Sequence, residues 1–150
     1  MRLFLTLTLT LIVASALRAQ NTEDSVKAVV NNLFAAMKNA DSTGLKNVFS
    51  ESAVLQTISE TKGGQTIVRT ENINAFATSI GTLAKGVADE RIKFDAIHVD
   101  GALASVWTPY EFYFKGNFSH CGVNSFQLVR LNGVWKIQYI IDTRRNGECK

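Results

Sequence analysis

Hydrophobic residues recur every three or four positions over residues 24–39, and this spacing predicts an amphipathic helix. The apolar stripe of this helix consists of Val26, Val29, Val30, Leu33, Phe34 and Met37. A second, short helix is predicted after Asp41, whose side chain can cap it. A third is predicted over residues 71–80, where Gly81 ends the pattern. All three predicted helices lie in the N-terminal part of the chain.

From residue 90 onward a period-two alternation replaces the helical spacing, which is typical of β-strands. We predict strands over residues 90–99, 102–115, 119–131 and 134–143, after two short extended segments over 53–58 and 65–69. Turn signals separate the long strands at Asp100-Gly101, Gly116-Asn117 and Asn132-Gly133. Helices followed by such a meander predict an α+β fold, with three N-terminal helices packed on one face of a curved antiparallel sheet.

The three turns also predict which residues lie opposite each other, provided that no bulge intervenes. The expected pairs are Leu128–Ile137, Phe126–Tyr139, Trp107–Phe126, Tyr113–His120 and Phe94–Trp107. Because successive side chains of a strand point to opposite faces, these pairs sort the sheet into two surfaces. A bulge at Pro109 would exchange the faces of residues 110–115.

One predicted surface is aromatic and apolar with a few polar groups set into it, as small-ligand pockets are. We expect its ligand-binding side chains to be Trp107, Tyr113, Asn124, Trp135 and Tyr139. Glu111 and His120 lie diagonally on neighbouring strands of this surface, where a desolvated carboxylate could exchange a proton with an imidazole. These two residues form the candidate catalytic pair. The pocket hypothesis requires Trp107, His120 and Tyr139 to share one face.

The opposite surface is polar along the last hairpin but apolar on the two earlier strands. Its apolar residues there are Ile97, Val99, Ala104, Val106, Tyr110 and Phe112. An apolar patch on the outside of a sheet is best explained by a partner, most simply a second copy of the chain. The sequence therefore predicts a homodimer that forms through the outer face of the sheet.

The first twenty residues have the layout of a secretory signal peptide. Arg2 precedes an uncharged apolar run over Leu3–Leu17, and small residues at Ala14-Ser15-Ala16 and Ala19 offer cleavage sites. The run is shorter than the roughly 20 residues that a spanning helix needs, so we expect no membrane partner after cleavage. Cleavage after Ala16, Ala19 or Gln20 would leave one domain over residues 21–150, secreted or periplasmic.

Charge and motif content exclude several function classes. Outside the signal, basic and acidic residues nearly balance, so we expect no nucleic-acid partner. The sequence contains no Cys/His metal spacing, phosphate loop, HExxH motif or Ser-His-Asp order, so neither a metal nor a cofactor is expected. Export permits a disulfide between Cys121 and Cys149, but the sequence leaves open whether they pair or remain thiols.

Several segments together resemble the nuclear transport factor 2-like superfamily, which includes polyketide cyclases and ketosteroid isomerases. They are the helix over 24–39, Asp41-Ser42-Thr43-Gly44-Leu45, Val48-Phe49-Ser50, the segment 65–80, the run Ala102–Gly122 and Gly133-Val134-Trp135-Lys136-Ile137. The sequences of the last two segments, Ala102–Gly122 and Gly133–Ile137, are most similar to the lumazine-binding branch of this superfamily. The resemblance implies a cone-shaped α+β half-barrel, usually dimeric, with a pocket between the helices and the sheet.

Because that superfamily contains enzymes, binders and interaction modules, the fold cannot choose among them. Our leading hypothesis is a non-catalytic binder of a small apolar or aromatic molecule. The first alternative is a cofactor-free isomerase, cyclase or hydratase that uses Glu111 and His120 as acid and base, although the isomerases' tyrosine and acid constellation finds no match here. The second alternative is a dimeric interaction module with a filled cavity.

Overall fold

The computed structural model describes residues 22–61, 63–145, 147 and 149. The predicted signal peptide and its cleavage sites lie outside the described residues. The helices are 22–38 (α1), Ser42–Asn47 (α2) and Ile73–Gly81 (α3). The strands are Phe49–Glu60 (β1), Thr66–Glu71 (β2), Ala88–Ile92 (β3), Ala96–Asp100 (β4), Leu103–Phe114 (β5), Asn117–Leu131 (β6) and Val134–Arg145 (β7). Among these residues, no helix is long and apolar enough to cross a membrane.

The helices form where the hydrophobic spacing predicts them. The apolar stripe of α1 is buried in the core, with Phe34 meeting Phe126 of β6 edge to face at 6.1 Å. The Asp41 carboxylate accepts a hydrogen bond from the Gly44 amide at 2.9 Å and caps α2, as predicted. The third helix begins at Ile73, two residues later than predicted, because the Asn72 side chain caps it.

The sheet runs in the order β2-β1-β7-β6-β5-β3, and β4 also pairs with β5. The α+β fold with three helices on a curved sheet is confirmed. The sheet is mixed, however, because β1 runs parallel to β7 while the other pairs are antiparallel. The prediction of a purely antiparallel sheet was therefore wrong at the β1–β7 pairing. Nothing in the sequence indicated this pairing, because only a short extended segment over 53–58 was predicted there.

The strand predicted over 90–99 is two strands, β3 and β4, interrupted at residues 93–95. The β4–β5 turn places Asp100 opposite Leu103, so the register differs by two residues from the prediction. Trp107 therefore pairs with Ala96 instead of Phe94. A shift of two residues keeps each β4 side chain on the same face as its β5 partner, so β4 follows whichever face β5 presents. Ile97, which was expected on the outer patch, lies opposite Val106 and packs against the core.

The register between β5 and β6 differs from the prediction by one residue. The hairpin turns at Lys115-Gly116, whose φ angles of 53° and 79° suit a two-residue turn. A bulge at Ser119 then shifts the register back by one. The observed pairs are Tyr113–Phe118, Phe112–His120 and Trp107–Ser125. Because a slip of one residue inverts a strand relative to its neighbour, β5 presents the opposite face from the one predicted.

The last hairpin turns at Asn132-Gly133 as predicted, and Leu128 lies opposite Ile137. A bulge at Gln138 follows, so the pairs beyond it are Gln127–Tyr139 and Phe126–Ile140. The predicted pair of Phe126 with Tyr139 is therefore wrong. Tyr139 points away from the helices, and its hydroxyl donates to Gln56 Oε1 at 2.7 Å.

Cys121 and Cys149 form a disulfide, which the sequence had left open. Cys121 is buried on β6, and the bridge ties the C-terminal tail to that strand. The described chain therefore ends against the sheet.

Candidate functional site

A partly enclosed cavity of about 290 Å³ lies between α1, α3 and the face of the sheet that the helices cover, which we call the inner face. Its apolar lining consists of Leu33, Phe34, Met37, Phe49, Leu55, Phe76, Ile80, Phe112, Phe126 and Ile140. Its polar lining consists of Thr57, Glu71, Glu90, His120, Asn124, Asp142 and Arg144. The interior is therefore not solidly filled, and its polar groups come from the sheet, with Glu71 at the end of β2.

Four polar residues form a buried line across the inner face, which we call the polar row: Thr57, Asp142, Asn124 and Thr108. They are direct neighbours on β1, β7, β6 and β5 in that order. Buried polar groups are costly unless they are hydrogen-bonded, and here they bond to one another and to residues beside the row. The row thus fixes donors and acceptors in the floor of the cavity.

Tyr110 reaches the polar row across a glycine. It lies opposite Gly122 on β6, and its hydroxyl is 3.1 Å from Asp142 Oδ2 and 2.9 Å from the Thr143 carbonyl oxygen. A Cβ added at Gly122 would stand 2.7 Å from the Tyr110 ring and 1.8 Å from the Thr143 carbonyl oxygen. Glycine is required at residue 122 so that the tyrosine can cross β6 and hydrogen-bond on β7.

The two carboxyl groups of the cavity floor have different partners. Asp142 accepts from Thr57, lies within hydrogen-bond distance of Tyr110, and is ion-paired with Arg144 Nε at 3.1 Å. Among the described residues, the Glu90 carboxyl has one hydrogen-bond donor, the Asn124 amide nitrogen at 2.8 Å. Asp142 is therefore compensated by a cation, whereas Glu90 has a neutral amide alone.

This difference shows in the protonation of Glu90. Burial, with a smaller contribution from the negative charge of Asp142, raises the pKa of the Glu90 carboxyl to about 7, against the lowering effects of the Asn124 hydrogen bond and the positive charge of Arg144. Burial and the positive charge of Arg144 lower the pKa of His120, so its imidazole is neutral at pH 7. Burial also raises the pKa of Tyr110, which keeps that phenol protonated. The floor therefore contains one carboxyl that can gain or lose a proton near neutral pH.

Two of the predicted site residues do line this cavity. His120 stacks at a tilt on Phe112, with ring centroids 5.0 Å apart, and its Nδ1 lies 3.1 Å from Ser119 Oγ. Asn124 belongs to the polar row and bonds to Glu90. Their placement agrees with the sequence interpretation, while the catalytic role of His120 and the binding role of Asn124 remain predictions.

The placement of the other predicted residues was wrong. Trp107, Glu111 and Tyr113 lie on the outer face because β5 is inverted, and Tyr139 joins them because of the bulge at Gln138. Trp107 and Tyr139 therefore do not share a face with His120, so the condition set for the predicted pocket fails and that pocket does not exist. The cavity described above has a different lining. Trp135 is buried toward the helices, but it borders a separate groove beside α1 and α2.

The candidate catalytic pair of Glu111 with His120 therefore does not exist. Glu111 is exposed, accepts a hydrogen bond from the Tyr113 hydroxyl at 2.8 Å, and points away from the face where His120 lies. The same inversion corrects the outer patch that was predicted for dimer formation. Five of its six members face inward: Ile97, Ala104, Val106, Tyr110 and Phe112.

The sequence interpretation missed Glu90, Tyr110, Asp142 and Arg144. One signal was available, because a carboxylate flanked by Ile140, Ile141 and Thr143 in a strand has no reason to be there unless it is partnered. Among the described residues, no group of three or more His, Cys, Asp or Glu side chains could hold a metal ion.

No model of a protein family matches this sequence, and no curated protein sequence matches it either. The fold is similar to solved structures. An NTF2-like protein of unknown function from Shewanella baltica OS155 aligns with a TM-score of 0.65 at 16% identity, over 85% of this chain and 96% of that one. An NTF2-like protein with a cystatin-like fold from Novosphingobium aromaticivorans gives 0.65 at 14%, over 91% and 90%.

A domain of unknown function with a cystatin-like fold from Nostoc punctiforme PCC 73102 aligns with a TM-score of 0.63 at 19% identity, over 82% of this chain and 76% of that one. At these identities the likeness concerns the fold alone. The chain has the cystatin-like α+β fold of NTF2-like proteins, as the sequence resemblance implied. The lumazine-binding branch remains a prediction.

Proposed function

We propose that this protein binds a small, largely apolar or aromatic molecule in the cavity between the helices and the inner face. The supporting observation is the cavity itself, with apolar walls from α1 and α3 and a floor of fixed polar groups. Such a combination provides affinity through the walls and orientation through the floor. No catalytic step is needed for this function.

The test compares two variants on neighbouring residues of β1. Leu55 lines the cavity, whereas Val54 lies opposite Tyr139 on the outer face. A panel of small aromatic molecules, lumazine among them, is screened by thermal shift. A ligand should raise the melting temperature of the wild type and of Val54→Trp but leave Leu55→Trp unchanged, because tryptophan at residue 55 takes up cavity volume.

Mass spectrometry of the purified protein under native conditions gives an independent answer. A small molecule that co-purifies with the wild type and is lost in Leu55→Trp supports the proposal. If no panel member and no co-purified molecule depends on residue 55, the cavity is not a binding site and the proposal is rejected.

Acid–base catalysis is a second candidate, with Glu90 in place of Glu111. One observation favours it: the two carboxyl groups of the cavity floor lie in different environments. Asp142 is ion-paired with Arg144, whereas Glu90 is hydrogen-bonded to the neutral amide of Asn124. In this case Glu90→Gln should abolish turnover of a bound substrate while leaving its affinity within a fewfold. Unchanged turnover in that variant would exclude Glu90 as the acid or base.

A homodimer through the outer face remains part of the proposal, with different residues from those first expected. Val54, Leu103 and Trp107 are exposed there, and Tyr139 lies beside them. Trp107→Asp should produce a monomer in light scattering after gel filtration. Phe114→Asp is the control, because Phe114 is similarly exposed, at 40%, but lies opposite Ala88, whose side chain is in the core, and so belongs to the inner face. A monomeric wild type would exclude the dimer.

Export to the periplasm or the exterior is also proposed. The disulfide between Cys121 and Cys149 supports it, because structural disulfides persist in oxidising compartments. N-terminal sequencing of the protein recovered from outside the cytoplasm should begin at Leu17, Gln20 or Asn21. An unprocessed N-terminus would contradict it.

A further inference from the structure

The charges that line the cavity do not balance. Glu71, Glu90 and Asp142 supply three carboxyl groups, and Arg144 supplies the one permanent cation among the described lining residues. The imidazole of His120 adds no positive charge at pH 7. A negatively charged ligand would therefore meet more repulsion than attraction in this cavity.

The one cation is also engaged. Arg144 Nε donates to Asp142 Oδ2 at 3.1 Å, and Arg144 Nη2 donates to Thr57 Oγ1 at 3.2 Å. These contacts hold the guanidinium over the β1–β7 side of the floor. Glu90 comes from β3, at the opposite edge of the sheet, where the Asn124 amide is its partner. The charge of Arg144 still acts on Glu90 through space and lowers the pKa of that carboxyl slightly, but the hydrogen bonds of its guanidinium go to Asp142 and Thr57. A positive charge in direct contact with Glu90 is thus the missing counterpart in the cavity.

The walls are suited to an organic cation. Five phenylalanines line the cavity: Phe34, Phe49, Phe76, Phe112 and Phe126. Aromatic rings attract cations to their faces, and they also bury the hydrocarbon part of a ligand. An inorganic cation would gain little from such walls, whereas an amine on an apolar skeleton would use both the rings and the carboxyl.

We propose that the ligand is a small amphipathic amine, whose ammonium group pairs with the Glu90 carboxylate while its apolar part lies among the phenylalanines. The inference rests on the proposed function, because it names the ligand class of the same cavity. Asn124 then acts as the positioning residue that holds the carboxyl toward the ligand.

The pairing makes binding depend on pH, since the ammonium group needs an ionised carboxyl. With the pKa of Glu90 at about 7, the ionised fraction rises about tenfold between one pH unit below and one above that value. The other titratable groups that face Glu90 are Glu71, Tyr110, His120, Asp142 and Arg144. The residues of α1 and α3 that line the cavity are apolar. Protonation of His120 at low pH would oppose the amine, which reinforces the trend.

Three probes of one skeleton test the inference by titration calorimetry: phenylbutylamine, phenylbutanol and phenylbutanoic acid, each with the ring at the chain end. One pH unit above the Glu90 pKa, the amine should bind about tenfold more tightly than the alcohol, and the acid should bind most weakly. The affinity for the amine should rise about tenfold from one unit below that pKa to one unit above, while the affinity for the alcohol should not rise.

Two glutamate variants locate the effect. Glu90→Gln retains an acceptor for the Asn124 amide but removes the charge. The affinity for the amine should therefore fall to that for the alcohol at every pH. Glu111→Gln makes the same change on the outer face and should bind all three probes as the wild type does. If the affinity for the amine changes in Glu90→Gln but not in Glu111→Gln, the ammonium group is paired with the Glu90 carboxylate.

The outcomes separate this inference from the function on which it rests. If the alcohol binds, and Leu55→Trp abolishes that binding, but the amine has no advantage and no pH response, the amine is excluded and the cavity remains a binding site. If none of the three probes binds and no co-purified molecule depends on residue 55, both proposals are rejected.

Discussion

The two faces of β5 differ in a way that their residue sizes do not suggest. The inner face carries Ala104, Val106, Thr108 and Tyr110, all buried. The outer face carries Leu103 and Trp107, which are 50% and 46% exposed. Small residues face inward because the helices and the large side chains of β6 occupy that side, as Phe34 and Phe126 do. Bulk alone therefore does not identify the core side of a strand in this protein.

The same comparison holds for chemistry. Each face pairs a tyrosine with a carboxylate: Tyr113 with Glu111 outside, and Tyr110 with Asp142 inside. The outer pair is a surface hydrogen bond. The inner pair is buried and adjoins the cavity, where Glu90 lacks a cationic partner. The same residue types thus produce a candidate site on one face and a solvated surface on the other.

The largest expected loss of stability comes from adding a side chain at Gly122, over which the Tyr110 side chain passes. Gly122→Ala should destabilise the protein by more than about 4 kcal/mol, because its Cβ would overlap the Thr143 carbonyl oxygen and the Tyr110 ring. Loss of soluble, folded protein by circular dichroism is the expected readout. Gly63→Ala is the control, because its nearest contact would be 3.8 Å away. A stable Gly122→Ala variant would contradict the crossing of Tyr110 over β6.

A matched pair of leucines tests directly which face of the sheet is the core side. Leu128 is fully buried on the inner face, whereas Leu103 is half exposed on the neighbouring strand. Leu128→Ala should lower the free energy of unfolding by about 2–5 kcal/mol, and Leu103→Ala by less than about 1 kcal/mol. Urea unfolding followed by tryptophan fluorescence measures both. Equal losses would mean that the faces have been assigned wrongly.

The disulfide attaches the C-terminal tail to the outer side of β6 at Cys121. Cys149→Ser should lower the free energy of unfolding by about 2–4 kcal/mol, because the bridge closes a loop between residues 28 apart. Reductant should destabilise the wild type by a similar amount and leave the variant unaffected. A wild type that is insensitive to reductant would indicate that the tail is not tied to β6.

The smallest effect concerns pH. Because the folded pKa of Glu90, about 7, lies above its ordinary value of 4.5, its protonated form stabilises the fold below about pH 4.5, and this contribution is lost as pH rises through 7. The loss amounts to at most about 3–4 kcal/mol, the free energy that corresponds to a change in pKa from 4.5 to about 7. Between pH 4.5 and 7 the free energy of unfolding should fall less in Glu90→Gln than in the wild type. In Glu111→Gln it should fall as much as in the wild type. Parallel curves for all three proteins would exclude the shift.

The architecture could be predicted from the sequence because its signals are local. The stripe of α1, the cap at Asp41 and the turn at Asn132-Gly133 depend on neighbouring residues alone. The contents of the cavity could not be predicted, because they depend on register over long strands. The bulges at Ser119 and Gln138 occupy one residue each and have no glycine or proline to indicate them.

The polar floor illustrates the same limit. Asp142 and Thr57 meet across the parallel β1–β7 pair, which joins residues 85 apart in the chain. Glu90 meets Asn124 from a separate strand, at a separation of 34 residues. No local pattern links such residues. Of the predicted site residues, His120 and Asn124 of β6 line the cavity, whereas those of β5 lie on the outer face.

The most direct test of the account is to observe which face of the sheet responds to a ligand. A ¹⁵N-labelled sample titrated with the tightest-binding panel member offers two side-chain reporters, the Asn124 amide inside and the Trp107 indole outside, the latter assigned with Trp107→Phe. The Asn124 signals should move in proportion to saturation while the Trp107 signal stays in place. Movement of Trp107 with an unchanged Asn124 would show that the inner cavity is not the binding site.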